Sequence, residues 1–214
     1  METLLLLVHR MPYPPNKGDK IRSFNMLSYL SRRYRVYLGA FVDDPADWRY
    51  EGKLREMCHD VCLVKLNPAW RRIWSLRALL FGRALSVAYF SDRRLKRWVT
   101  NVLRKGEVDR IVVFSSPMAQ YVVNESSDLR DHRATKVMDF VDVDADKWRM
   151  YGERRSGPRG WIYRREAERL LAYDRRMASA FNANVFVSQR EADLFRRLAP
   201  EVAKPILARV NSLE

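Results

Sequence analysis

The sequence is poor in the residues that reaction chemistry most often needs. It holds three histidines and two cysteines in 214 residues. The cysteines, Cys58 and Cys62, flank His59 and offer too few donors for zinc, which usually takes four ligands. They read as buried, reduced thiols of a reducing compartment. His9, His59 and His132 are not placed by the sequence to partner a serine nucleophile, which argues against a hydrolytic triad. No stretch approaches the roughly 20 apolar residues of a membrane-spanning helix. Leu4 to Val8 is too short for a secretory signal core and follows the acidic Glu2. The glycine patterns of the dinucleotide fingerprint and of the Walker loop are both missing. Internal repeats and low-complexity segments are missing too.

What the chain has in excess is positive charge. Forty Lys and Arg stand against 26 acids, a formal net charge of +14, which points to an anionic partner: nucleic acid, an acidic membrane surface or a phosphorylated substrate. Nucleic acid is the weaker alternative, because charge alone supports it and no helix-turn-helix or RNA-binding motif is present. A non-catalytic scaffold is a further alternative.

Short apolar runs alternate with amphipathic stretches. Strands are expected at Thr3–His9, Val36–Val42, Val61–Leu66, Asp109–Phe114, Lys136–Val141 and Asn184–Val187. Helices are expected at Lys20–Arg32, Asp47–Met57, Asp92–Arg104, about residues 161–181, and after Ser188. In the first of these, Ile21, Phe24, Leu27 and Leu30 mark an apolar stripe. Gly157, Pro158 and Gly160 read as punctuation before the long helix. About six strands without polar alternation, separated by helices, predict a doubly wound, Rossmann-like α/β domain with a mostly parallel sheet. In such sheets ligands bind outside the carboxyl ends of the strands, which selects the loops after His9, Val42, Phe114, Val141 and Val187.

The first of these loops, "PYPPNKGDKIRS" at residues 12–23, combines a flexible Gly18, a capping Asp19 and the cations Lys17, Lys20 and Arg22. A helix N-terminus so furnished is an anion site, and a proline-stiffened turn with a capped helix fits the residues equally well. In "DFVDVDAD", residues 139–146, the acids Asp142, Asp144 and Asp146 with Glu153 resemble a calcium loop, but Lys147 stands where that loop needs glycine. Hydrogen bonding to ligand hydroxyls, or helix capping by Asp142, fits better, and no metal is expected. Ser115 and Ser116 in "FSSP" suit a helix cap or a ligand. "AWRRIWSLRALLFGR" interleaves Trp70, Trp74 and Ile73 with Arg71, Arg72 and Arg77, which suits an anionic membrane surface or an ordinary core-packed helix.

The segments "YPPNKGDKIRSF", "FVDDPADW", "VVFSSPMAQYV", "MDFVDVDADKWRMY", "WIYRREAERLLAYDRR" and "VFVSQREADLFRRLAPE" together resemble the N-terminal half of retaining GT-B glycosyltransferases, in particular the sugar transferases of PEP-CTERM-type exopolysaccharide clusters. The resemblance implies that residues 1–205 form a Rossmann-like acceptor-binding domain. Residues 206–214 would begin an interdomain linker, or end in a cloning scar at Leu213–Glu214. The donor domain, which holds the nucleotide-diphosphate sugar, would be the missing partner, and this chain alone would bind no cofactor and not turn over. It also implies a hexosyltransferase working on a sugar or lipid-linked acceptor in the cytoplasm, peripheral to the inner membrane. By position, Lys20, Arg22, Asp139 and Lys147 are then the catalytic candidates. Lys17, Gly18, Asp19, Ser115, Ser116, Asp142 and Ser188 are the substrate- and phosphate-binding ones. Trp70, Arg71, Arg72, Trp74 and Arg77 would meet the membrane.

Overall fold

A computed structural model describes residues 1–67, 82–123 and 134–209. The membrane candidates Trp70, Arg71, Arg72, Trp74 and Arg77 lie outside the described residues.

Among the described residues, the strands are β1 (Thr3–Val8), β2 (Arg35–Val42), β3 (Asp60–Lys65), β4 (Arg110–Phe114), β5 (Thr135–Val141), β6 (Ala183–Phe186) and β7 (Ile206–Ala208). They form one sheet in the order β3-β2-β1-β4-β5-β6-β7, and every pairing is parallel. The expected α/β doubly wound fold is therefore present, with a fully parallel sheet. Thr3–Val8 is buried along its whole length, as a central strand covered on both faces must be. Two apolar layers result. Leu5, Leu7, Phe41 and Val113 belong to one face, and Leu4, Leu6, Leu38 and Phe114 to the other.

The helices are α1 (Gly18–Ser31), α2 (Glu51–Met57), α3 (Leu85–Tyr89), α4 (Arg93–Arg104), α5 (Asp144–Glu153), α6 (Gly157–Ala180) and α7 (Gln189–Leu198), with 3-10 turns at Pro45–Tyr50 and Ser116–Tyr121. Three details depart from the sequence expectation. The long helix begins at Gly157, because Pro158 fits a first turn whose amide would be unbonded anyway. Gly160 is then no punctuation. It admits the close turn into α6, since a Cβ there would lie 1.9 Å from the Arg155 carbonyl oxygen, whereas Gly152 lets α5 meet α6, a Cβ there lying 2.7 Å from Arg164 Cγ. The seventh strand, Ile206–Ala208, occupies residues expected to start a linker.

The third departure is in α1. Of its predicted apolar stripe only Leu27 is fully buried, while Ile21 is 40% exposed. The helix instead turns Lys20, Arg22 and Ser23 inward. Charged side chains are almost never buried unless paired, and both cations have a buried acid waiting for them.

No helix among the described residues is long and apolar enough to cross a membrane.

Candidate functional site

The strand order reverses between β1 and β4, so the crevice outside their carboxyl ends is where a ligand of such a sheet binds. His9 stands there, one residue past β1. Its ring stacks on Phe114 at the end of β4, with centroids 5.8 Å apart, and meets the edge of Phe90 at 5.7 Å. Nε2 lies 3.3 Å from Asp19 Oδ2, and Nδ1 is buried with no hydrogen-bond partner among the described residues. Asp19 also receives Arg10 Nη1 at 3.0 Å, and Arg10 Nε lies 3.2 Å from Asp43 Oδ2. The hydrogen bond from His9, then the charges of His9 and Arg10, hold the Asp19 carboxyl well below the usual carboxylate range despite partial burial.

This places Asp19 differently from its expected role. It is not the N-cap of α1: Lys17 holds that position without a side-chain cap, and Asp19 sits in the first turn with its carboxylate on His9 and Arg10. Lys17 and Gly18 remain exposed at the lip of the crevice, at the start of the helix, where the Lys20 amide already donates to Asp19 Oδ1 at 3.0 Å.

Lys20 and Arg22 do not reach that lip. Lys20 is 1% exposed and its Nζ donates to Asp47 in the interior. Arg22 crosses beneath the crevice to β5, where Nη2 and Nε donate to Asp139 Oδ2 at 2.8 and 3.2 Å. Its Nη1 donates to the Arg209 carbonyl at 3.4 Å. The other oxygen of Asp139 accepts from the Val141 amide at 3.0 Å. Arg22 thus ties α1 to Asp139 on β5 and to the exit of β7, and the Asp139 carboxylate is fully engaged in that knot.

Strain accompanies this knot. Ser115, after β4, has φ 77°, and Val141, at the end of β5, has φ 68°. Positive φ is uncommon for any residue with a side chain and a true outlier for a β-branched one. The Ser115 amide donates to the Asp139 carbonyl at 2.8 Å, so the two strained points are joined. Such strain persists only where the surroundings impose it, and it clusters at working sites. Ser115 stands at the head of the 3-10 turn without capping it, contrary to the capping expectation. Ser116 is buried, with its hydroxyl bonded to Asp174 and its carbonyl accepting from Tyr173 Oη at 3.3 Å.

The remaining candidates lie apart from the crevice knot. Lys147 Nζ sits between Asp142 Oδ2 (2.7 Å) and Asp144 Oδ1 (3.0 Å), where a calcium loop would hold its ion. Burial works against its charge, yet the two carboxylates hold its pKa up at about 12. Asp142 is not a helix cap, since α5 starts after Val143. Ser188 caps α7 by accepting from the Glu191 amide at 3.2 Å. The free thiols of Cys58 and Cys62 are pushed up to about 12 and about 11 by burial, with Asp60 and Asp92 adding to the rise at Cys62. Neither is a nucleophile near neutrality.

Sequence reasoning missed His9, because its partner Asp19 looked like a cap and a lone histidine carries no signal. The position itself, just past the first strand of a 3-2-1-4-5-6 sheet, was the signal available.

An all-parallel sheet with that order and a crevice at the β1/β4 reversal defines a Rossmann-like α/β domain. Solved structures similar to it include glycosyltransferases of the GT-B architecture and a phosphatase domain. UGT2 of Phytolacca americana, complexed with UDP-2-fluoro-glucose and pterostilbene, matches 96% of this chain with 53% of its own length, at TM-score 0.53 and 10% identity. TcCGT1 in complex with UDP matches 99% with 51%, at TM-score 0.50 and 12% identity. The N-terminal domain of trehalose-6-phosphate phosphatase from Candida albicans matches 98% with 48%, at TM-score 0.53 and 12% identity. The chain therefore spans about half the length of these neighbours, and at such identities the likeness establishes the fold. No family model matches the sequence, and no curated protein matches it.

Proposed function

We propose that the chain is the acceptor-side domain of a nucleotide-sugar-dependent glycosyltransferase, with His9 as the base that takes the proton from the acceptor hydroxyl. The observation that carries this is the His9–Asp19 pair at the strand-order reversal. Asp19 fixes the ring by accepting from Nε2, which leaves Nδ1 with a lone pair and no partner. Phe114 and Phe90 hold the ring plane. A histidine paired with a carboxylate in this crevice supports a general-base role, whose typical contribution is about 10²–10⁴-fold, and because Nδ1 is enclosed the ring has to be uncovered when the acceptor binds.

In the reaction the acceptor oxygen bonds to the anomeric carbon, the bond from that carbon to the diphosphate breaks, and the hydroxyl proton passes to His9. Negative charge grows on the leaving diphosphate. Lys17 and the amides at the start of α1, at the same lip, are the groups of this chain suited to stabilise it. The donor would sit on a second domain; the neighbours complexed with UDP or a UDP-sugar are about twice this length. The sequence resemblance adds a hexose donor, a lipid-linked acceptor at the inner membrane face and a role in exopolysaccharide assembly.

The test is transfer from radiolabelled UDP-glucose and other nucleotide sugars to membrane lipid extract by the full-length protein. His9→Ala should lower kcat by roughly 10²-fold or more with the fold intact by circular dichroism. Direct attack assisted by His9 inverts the anomeric centre, which departs from the retention that the sequence resemblance implies. Undiminished transfer by His9→Ala, or retention of configuration in the product, removes the role given to His9.

A further inference from the structure

Behind Phe90, on the face of the sheet covered by α4 and α6, lies a cavity of about 500 Å³ that the His9 chemistry does not use. Its floor is apolar, from Ala84, Val87, Tyr173 and Met177, all buried. Its rim is cationic: Arg83, Arg93, Lys96, Arg169 and Arg176 line it, against a single acid, Asp92. That acid is already engaged, accepting from the Arg94 amide at 2.7 Å as the cap of α4. Among the described residues, the side chains of Arg83, Arg93, Lys96 and Arg169 form no ion pair. Like charges gathered in a concave site repel one another and focus a positive potential into it.

The five cations are exposed, and two further observations bear on the cluster. Arg93 and Lys96 occupy the first turn of α4, where the helix dipole opposes positive charge and where acids are normally favoured; this first turn has none. The frame around them is also fixed. Glu166, 1% exposed, accepts from the Leu85 and Ser86 amides at 2.5 and 2.8 Å, joining α6 to α3. Gln120 Nε2 donates to the carbonyls of Val87 and Pro117 at 2.9 and 2.8 Å. Glu166 and Gln120 are thus engaged with the backbone, and the cations line the opening.

We infer that this cavity binds the phosphate or diphosphate group of an organic ligand, whose body lies on the apolar floor between α3 and α6. Its volume is that of a small-molecule site and far exceeds an inorganic ion. Guanidinium groups recognise phosphate oxygens in pairs and ammonium groups as point charges, and both kinds are present. The same chemistry is offered by a soluble sugar phosphate and by a diphosphate-linked lipid. The inference does not depend on sugar transfer or on His9.

The experiment is calorimetric titration of pyrophosphate into the chain at fixed ionic strength. The double variant Arg93→Ala/Lys96→Ala removes two exposed cations from the rim. Arg32→Ala/Arg33→Ala removes the same charge from the exposed end of α1. Saturable binding that the first pair weakens by roughly tenfold or more, and the second leaves within about twofold, is the expected result. Binding that is not saturable, or that both pairs weaken equally, overturns the inference, because net charge alone then accounts for it. A second arm uses phosphatidylcholine vesicles carrying a polyprenyl diphosphate. Tighter binding to these than to free pyrophosphate assigns the ligand to a lipid, and equal or weaker binding assigns it to a soluble phosphate.

Discussion

Replacing Lys20 by methionine should unfold the protein rather than disarm it. The Lys20 side chain is 2% exposed and that of Asp47 6%, and the two are joined in the interior. Methionine keeps most of the volume and removes the charge, so the Asp47 carboxylate is left buried without a counter-ion. Breaking a buried pair in this way costs about 3–5 kcal/mol, a large part of the roughly 5–15 kcal/mol that holds a domain together. For a chain of this size that is a fall in Tm of roughly 6–20 °C. Removing both charges is a different perturbation. Lys20→Met with Asp47→Leu leaves no orphan, and such replacements are often neutral or stabilising. The assay is urea unfolding followed by circular dichroism on the parent, both single variants and the double variant, with pyrophosphate binding measured on the folded fraction. Two destabilised single variants and a recovered double variant are expected, with anion binding unchanged throughout. A Lys20→Met protein within about 0.5 kcal/mol of the parent that has lost anion binding would refute the reasoning and return Lys20 to the phosphate lip.

Asp174 is fully enclosed and burial raises its carboxyl pKa well above 3.8, with Ser116 hydrogen bonding opposing the rise. At pH 3 the carboxyl is neutral in both states. As pH climbs past the unfolded value only the unfolded chain releases its proton, so stability is lost toward neutrality; Asp174→Asn should therefore gain stability at pH 7 and none at pH 3 in urea titrations. Gly160→Ala should destabilise by about 1–3 kcal/mol or more, because its Cβ meets a backbone oxygen that cannot swing away; a melting temperature equal to the parent's would deny the close turn between Arg155 and α6. Ser115→Gly should raise stability by about 1 kcal/mol in urea unfolding by relieving φ 77°; an unchanged midpoint would deny the strain.

The sheet was legible because its strands are unbroken aliphatic runs, and LLLLV can pack only between two covered faces. The limits of α6 and the strand at Ile206–Ala208 were less so. A proline and two glycines look like a break until a neighbouring helix explains them, and a three-residue edge strand has no period to detect. At the site, the charged residues stand out in the sequence and their partners do not. Lys20, Arg22 and Asp19 are conspicuous in the first loop, but what they bind is Asp47, Asp139 and His9. Two of those partners are 27 and 117 residues away from the side chains they bind. Periodicity reports which face of a helix is apolar, and α1 buries a charged face that only those distant acids make tolerable.

The place of β1 in the middle of the sheet sets an order of events during synthesis. Its register with β2 can form early, since Thr3 pairs with Arg35, but its other edge waits for Arg110–Phe114. Until then a wholly apolar strand offers a row of unsatisfied amides and carbonyls to any other chain. The knot beneath the crevice closes later still, when Asp139 reaches Arg22, and is completed by Arg209, 187 residues beyond it. Parallel pairings over such separations make folding slow and leave intermediates prone to association. A ribosome-bound chain stopped before residue 110 should thus be a client for chaperones, and expression yield should respond to their level more than to growth temperature alone.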